Sequence, residues 1–153
     1  MAHWTETVKK LERLKSNLEL IAATEMVNDS LDNIRAESYE GKKWKKRKAG
    51  APRNEGRGLL VDTGAGRRSI SAKKTAPGKA SLTANDYMQA HNEGVQKNVS
   101  VRAHSRTRKG RTSNVKTFTR DMNLPERRFS GKGKKLIKRI EKVIANQIVK
   151  ACS

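Results

Sequence analysis

Sulfur chemistry is nearly missing from this chain: among 153 residues the one cysteine is Cys152. A single thiol excludes an internal disulfide framework and any zinc site built on paired cysteines. Aromatic residues make up only 4%, too few rings for a platform that stacks single-stranded bases. No stretch approaches the roughly 20 apolar residues of a membrane span. The opening MAHWTETVKK lacks the apolar core of a signal peptide. A cytosolic product with no membrane stage is expected. Acidic residues are scarce as well, 15 against 35 Lys+Arg, which leaves a net charge of +20. With an apolar share of only 34%, the chain supports one small domain with an extension and leaves no room for two full cores. Self-repulsion at this charge points to a polyanionic or acidic partner.

What charge there is lies unevenly. Residues 1–40 carry 5 basic and 8 acidic side chains, whereas residues 41–80 carry 13 and 2. Residues 81–123 carry 8 and 3, and residues 124–153 carry 9 and 2. The first quarter is therefore an ordinary amphipathic segment, and everything after it is basic.

In the first segment Val8, Leu11, Leu14, Leu18, Ile21, Val27, Leu31 and Ile34 recur mostly at three- and four-residue steps, which predicts one long helix over 5–40. Thr5 or Thr7 is placed to cap it, Gly41 lies past its end, and Asn28–Ser30 is its weakest stretch. At 1.5 Å per residue such a helix runs to about 50 Å, long enough to kink or to overhang a small domain. A basic linker, 41–58, follows. Leu59–Val61 is a short apolar run, Asp62-Thr63-Gly64 reads as a turn, and Arg68–Ser71 reads as a strand, with a weak strand after Pro77-Gly78. Asn85 is a suitable cap for a short helix over Tyr87, Met88, Ala90 and His91 that stops at Gly94. Alternation over Asn98–His104 and Val115–Met122 predicts a hairpin arm, 95–123, with a long basic loop at its tip, or else a largely disordered arm. Leu136, Ile140, Val143, Ile144 and Ile148 mark an amphipathic helix over 132–151. Its first turn carries Lys132, Lys134 and Lys135 against the helix dipole. The fold class is α+β: a long N-terminal helix, a sheet region over 59–131 with the arm, and a C-terminal helix, all in one domain.

Several short motifs invite chemistry. Leu60-Val61-Asp62-Thr63-Gly64 looks like the loop of retroviral-type aspartic proteases, where two Asp carboxylates share a proton. No second apolar-apolar-Gly motif follows, and Asp-Thr-Gly is common in turns, so no catalytic residue is assigned. His3, His91 and His104 lack a Cys or acidic cluster, which gives no metal site. Gly131-Lys132-Gly133-Lys134 lacks the spacing of a nucleotide-binding loop. No cofactor is expected. The basic side chains Lys42, Lys43, Lys45, Lys46, Arg47 and Lys48 form one electropositive surface, and Arg102, Arg106, Arg108, Lys109 and Arg111 on the arm form another. Either can face DNA or an acidic neighbour. Phe129 is expected to seat the last helix on the sheet, with Tyr87 and His91 in structural roles.

The ordered motifs carry a resemblance. Trp44 after the long helix is followed by Asp62-Thr63-Gly64 and Arg67-Arg68-Ser69-Ile70, then by Tyr87 to His91-Asn92-Glu93-Gly94, then by Pro125-Glu126-Arg127-Arg128-Phe129-Ser130-Gly131. This order resembles the phage virion morphogenesis (tail-completion) family of Mu-like phages and prophages over residues 1–150. Gly66, Arg128 and Ser130 depart from the pattern, where the family has Leu, Pro and an apolar residue. The resemblance implies a non-enzymatic α+β protein of the virion neck or head-proximal tail end, assembled in the host cytoplasm. It also implies a hexameric ring with other neck, connector or tail proteins as neighbours and phage DNA passing without sequence contact. Composition alone points elsewhere, to a basic RNA- or DNA-binding protein of ribosomal type.

Overall fold

The computed structural model describes residues 2–47 and 56–153, with side chains from residue 4 onward. Lys48 and the middle of the linker lie outside the described residues. The expected α+β architecture is found: helix α1 (Ala2–Ala36), hairpin β1–β2 (Ser38–Tyr39 and Lys42–Lys43), a short helix α2 (Ala65–Ser69), hairpin β3–β4 (Ser71–Ala76 and Lys79–Thr83), helix α3 (Asp86–Glu93), strands β5 (Val95–Val101), β6 (His104–Arg108), β7 (Arg111–Val115) and β8 (Phe118–Leu124), and helix α4 (Lys134–Cys152). Among the described residues, in place of one small sheet there are four separate two-stranded antiparallel ladders, β1–β2, β3–β4, β5–β8 and β6–β7.

Helix α1 stops earlier than its periodicity predicts. Glu37 takes a left-handed φ of 50°, and Glu40 and Gly41 at φ 48° and 81° make the tight turn of the β1–β2 hairpin, which suits the twist of paired strands. The stretch Asn28–Ser30, expected to be weak, is instead unbroken helix, because its polar side chains have partners. Ser30 Oγ donates to Met26 O at 2.8 Å, and Asn33 Nδ2 donates both to Asp29 Oδ2 at 2.9 Å and to Phe129 O at 3.1 Å. Burial raises the Asp29 carboxyl above its ordinary range, with the Asn33 bond opposing. From about Lys10 onward α1 is flanked by other elements. Helix α4 runs antiparallel along one side of it, so that Arg139 meets Glu25 and Asp32 while Lys150 and Ala151 lie beside Lys10–Leu14. The β3–β4 hairpin lies along it too, tied by Gly78 N–H to Glu19 Oε1 at 2.6 Å and by Lys74 to Glu19 at 3.4 Å.

The core is small. Ile34, Trp44, Leu59, Ile70, Met88 and Phe129 are buried together, with Val27, Leu31, Leu60, Val61, Leu82 and Ala84 packed around them. Phe129 therefore joins α1 to α3 and the Leu59–Val61 run, and α4 rests on α1 rather than on a sheet, contrary to the expected seating of the last helix. Arg68 and Ser69 lie in α2, not in a strand, because Gly64 (φ 78°) turns the chain and the extended run starts only at Ser71. Gly66 in this helix is buried against Met88 and Tyr87, whose Sδ and hydroxyl would stand 2.6 and 2.7 Å from any added Cβ.

The lysines at the start of α4 have a local explanation. Lys132 precedes the helix, and Glu40, delivered by the β1–β2 turn, accepts the Lys135 N–H at 3.1 Å. A carboxylate from a distant turn thus supplies the negative charge that the helix start favours. Arg139 clamps the two helices. It is paired to Glu25 and, at 2.8 Å, to Asp32, and this pairing holds the Asp32 carboxyl below its ordinary value. With the Arg139 side chain 34% exposed, Arg139→Gln is expected to cost about 1 kcal/mol in denaturant unfolding at low salt. The loss should shrink at high salt, because exposed charges are screened.

Candidate functional site

The two basic surfaces differ in build. Lys42, Lys43, Lys45 and Lys46 are exposed on and just after β2. The first three of these border a groove with Tyr39, Pro125 and Arg128, and the Arg128 guanidinium stands 5.1 Å over the Tyr39 ring. Arg47 turns inward and donates to Arg57 O at 3.0 Å and Gly58 O at 2.8 Å. Trp44, in the middle of this basic run, is core: it is 9% exposed and its Nε1 donates to Arg128 O at 2.9 Å.

The tip of the arm is a paired ribbon and not the long loop its composition implies. Strands β6 and β7 meet through a tight turn at Lys109 and Gly110, with φ of 50° and 74°. Side chains alternate along a strand, and directly opposed residues share a face. The pairs Arg106↔Ser113 and Arg108↔Arg111 therefore lie on one face, while Ser105↔Asn114 and Thr107↔Thr112 lie on the other. The second face is stitched by hydrogen bonds of 2.7 and 2.9 Å. The first carries guanidinium groups that make no ion pair among the described residues. Arg102 sits between the inner ladder, β5–β8, and this ribbon.

The motif residues, scattered over about 70 positions, converge. A cleft of about 250 Å³ is lined by Asp62, Thr63, Gly64, Tyr87, His91, Arg47 and Arg127, among others. Each wall has a local cause. Thr63 Oγ1 accepts Ala65 N–H at 3.3 Å at the Gly64 turn, Asn85 begins α3, and Gly94 (φ 74°, ψ 156°) ends it where Glu126 N would stand 2.9 Å from any Cβ. Ser69 Oγ donates to Gly66 O at 2.7 Å and accepts Asn85 N–H at 3.1 Å, tying α2 to α3. Asp62 is paired to Arg57. Pro125, Arg127, Phe129 and Gly131 belong to an irregular segment whose backbone is held by neighbours. Arg127 N–H donates to His91 O at 2.8 Å, and Asn92 Oδ1 accepts Phe129 N–H at 2.9 Å and Ser130 N–H at 3.0 Å. Asn92 was legible only as part of the His91–Gly94 motif, and nothing in the sequence marked its function.

Burial pushes the His91 ring below the ordinary imidazole value, and the Arg127 charge acts in the same direction. In the unfolded chain His91 titrates near its usual value, so that state binds the proton first as pH falls. Stability should therefore be full above that value and decline as pH drops from 7 toward 5. Thermal melts of His91→Gln against the parent across this range should show that part of the decline removed.

Among the described residues no group of His, Cys, Asp and Glu could hold a metal ion, and no helix is long and apolar enough to cross a membrane. Compared with protein-family models, curated proteins and solved structures, the chain matches none.

Proposed function

We propose that this chain is a non-enzymatic structural subunit of a phage virion, forming a ring at the neck or head-proximal tail end for tail completion and head-tail joining. The observation that carries the reading is the convergence of the motif series. Asp62-Thr63-Gly64, Tyr87, His91 and Arg127 line one cleft, and the adjoining Arg128 and Phe129 are held by Trp44, Asn33 and Asn92. A pattern spread along the chain is thus a single structural unit, as expected if the motifs maintain a fold and not a reaction. Its small core, beside exposed Trp4, Val8, Leu20, Ile148 and Val149 on α1 and α4, fits a subunit completed by neighbours. The protease alternative fits poorly: Asp62 is engaged by Arg57, and its loop leads into a short helix.

Lysates of the producing phage with this chain deleted should accumulate heads and tails that do not join, and supplying the protein should restore joined particles. Joined, infectious particles in its absence would overturn the reading. Native mass measurement of the ring released from particles tests the hexamer. The second reading, a ribosomal-type nucleic-acid-binding protein, is favoured by the basic face of the β6–β7 ribbon. Cosedimentation with ribosomes in place of particles would select it.

A further inference from the structure

We propose that the cleft between the Asp62–Gly64 loop, α3 and Arg127 is a carboxylate-binding site that receives one acidic side chain from a partner protein. Arg127 is the reason. Its side chain belongs to a residue only 8% exposed, yet it makes no ion pair among the described residues. Among the described residues its only side-chain bonds are two long ones, 3.4 and 3.3 Å, to Lys45 O. A buried guanidinium without a counter-charge is costly. The Glu37 carboxylate offsets this only in part, because it makes no ion pair with Arg127 among the described residues and the nearby Arg47 charge acts against it.

Two further polar groups belong to residues that line the same cleft. His91 Nδ1 is a buried atom with no hydrogen-bond partner, and the Tyr87 hydroxyl has none among the described residues. The guanidinium fork, the phenol and, in its Nδ1–H tautomer, the imidazole make a donor set for a planar two-oxygen anion. Size and charge select among anions. A cleft of about 250 Å³ falls below the usual range of small-molecule sites, and it fits the tip of a side chain. Asp62 lines the same cleft, so a phosphate dianion would meet a like charge that a single carboxylate meets less strongly. This inference does not depend on the virion reading.

The test is a titration of the full chain, following the Arg127 Nε–H and His91 ring signals by NMR. The probes are N-acetyl-glutamate amide, the matching glutamine amide and inorganic phosphate. The glutamate probe should shift both signals saturably below ~0.1 M, in the weak range expected of one charged contact, the glutamine probe should not, and phosphate should bind more weakly. Arg127→Gln should weaken glutamate binding about tenfold or more. Tyr87→Phe, at a half-exposed position, should weaken it several-fold with an unchanged melting temperature. Four results would each overturn the proposal: no saturation with glutamate, an equal response to glutamine, tighter binding of phosphate, or glutamate binding unaffected by either substitution. Should Arg127→Gln fail to fold, the probe comparison on the parent and Tyr87→Phe decide.

Discussion

Phe129→Ala is expected to destabilise the protein by about 3–5 kcal/mol, the range for removing a large aromatic from a closed core. Phe129 is 2% exposed and shares the core with Ile34, Trp44, Leu59, Ile70 and Met88. Its backbone is fixed on both sides, N–H to Asn92 Oδ1 at 2.9 Å and C=O from Asn33 Nδ2 at 3.1 Å. The main chain therefore cannot sink into the vacated space, which places the loss toward the upper end of the range. At roughly 2–4 °C per kcal/mol for a chain of this size, the melting temperature should fall by about 10 °C or more. Urea unfolding of the variant beside the parent checks this. A loss under about 1 kcal/mol would show that the six-residue cluster is not the folding core.

The second large effect concerns nucleic acid. Changing Arg106, Arg108, Lys109 and Arg111 together to Ser should leave stability nearly unchanged, since all four side chains are exposed and make no ion pair among the described residues. If the basic face of the ribbon lies on DNA, the slope of log affinity against log salt should fall by about 3–4. Binding at low salt should weaken roughly 100-fold or more, independent of sequence. Fluorescence anisotropy with two unrelated duplexes over a salt series measures both. Unchanged binding with blocked assembly would assign the ribbon to a neighbouring subunit, where single charge reversals act on fixed pairs. The directly opposed pair Arg108↔Arg111 supports an anionic partner of one kind or the other, because like charges across a ladder destabilise it.

Long elements were legible in the sequence and short ones were not. Helices α1 and α4 and the α3 segment between Asn85 and Gly94 follow from apolar spacing and terminal residues, and the Pro77-Gly78 turn follows from its dipeptide. The α1 end was misplaced because Glu37 leaves the helix with a left-handed backbone and a carboxylate bonded to the distant Leu59 N–H, neither of which apolar spacing shows. Helix α2, at 5 residues, is too short for a period to register, so Arg68–Ser71 read as strand. The arm tip read as a loop because Ser, Thr, Asn and Arg carry no apolar alternation. Both of its faces are wet, and its pairing rests on backbone bonds and hydroxyl contacts. Trp44 was hidden in a lysine run whose charge masked a core position. As for the cleft, its members could be named from the motif series, but an unpaired charge on Arg127 is a statement about distances, which composition and spacing do not contain.

The irregular stretch from Pro125 to Gly131 owes its path to main-chain bonds. His91 O takes Arg127 N–H, Trp44 gives to Arg128 O, Asn33 gives to Phe129 O, and Asn92 takes two successive amides. Because the grip is on the backbone, descendants of this chain are free to exchange the outward side chains here without rerouting the chain. Arg128 is exposed and its amide donates no bond among the described residues, so a lineage placing proline there forfeits none. At Ser130 the amide is engaged, and a lineage can change the side chain but cannot lose the N–H. Divergence through this stretch should therefore be rapid in letters and slow in shape, with Asn33, Trp44 and Asn92, far away in the sequence, as the positions that resist change.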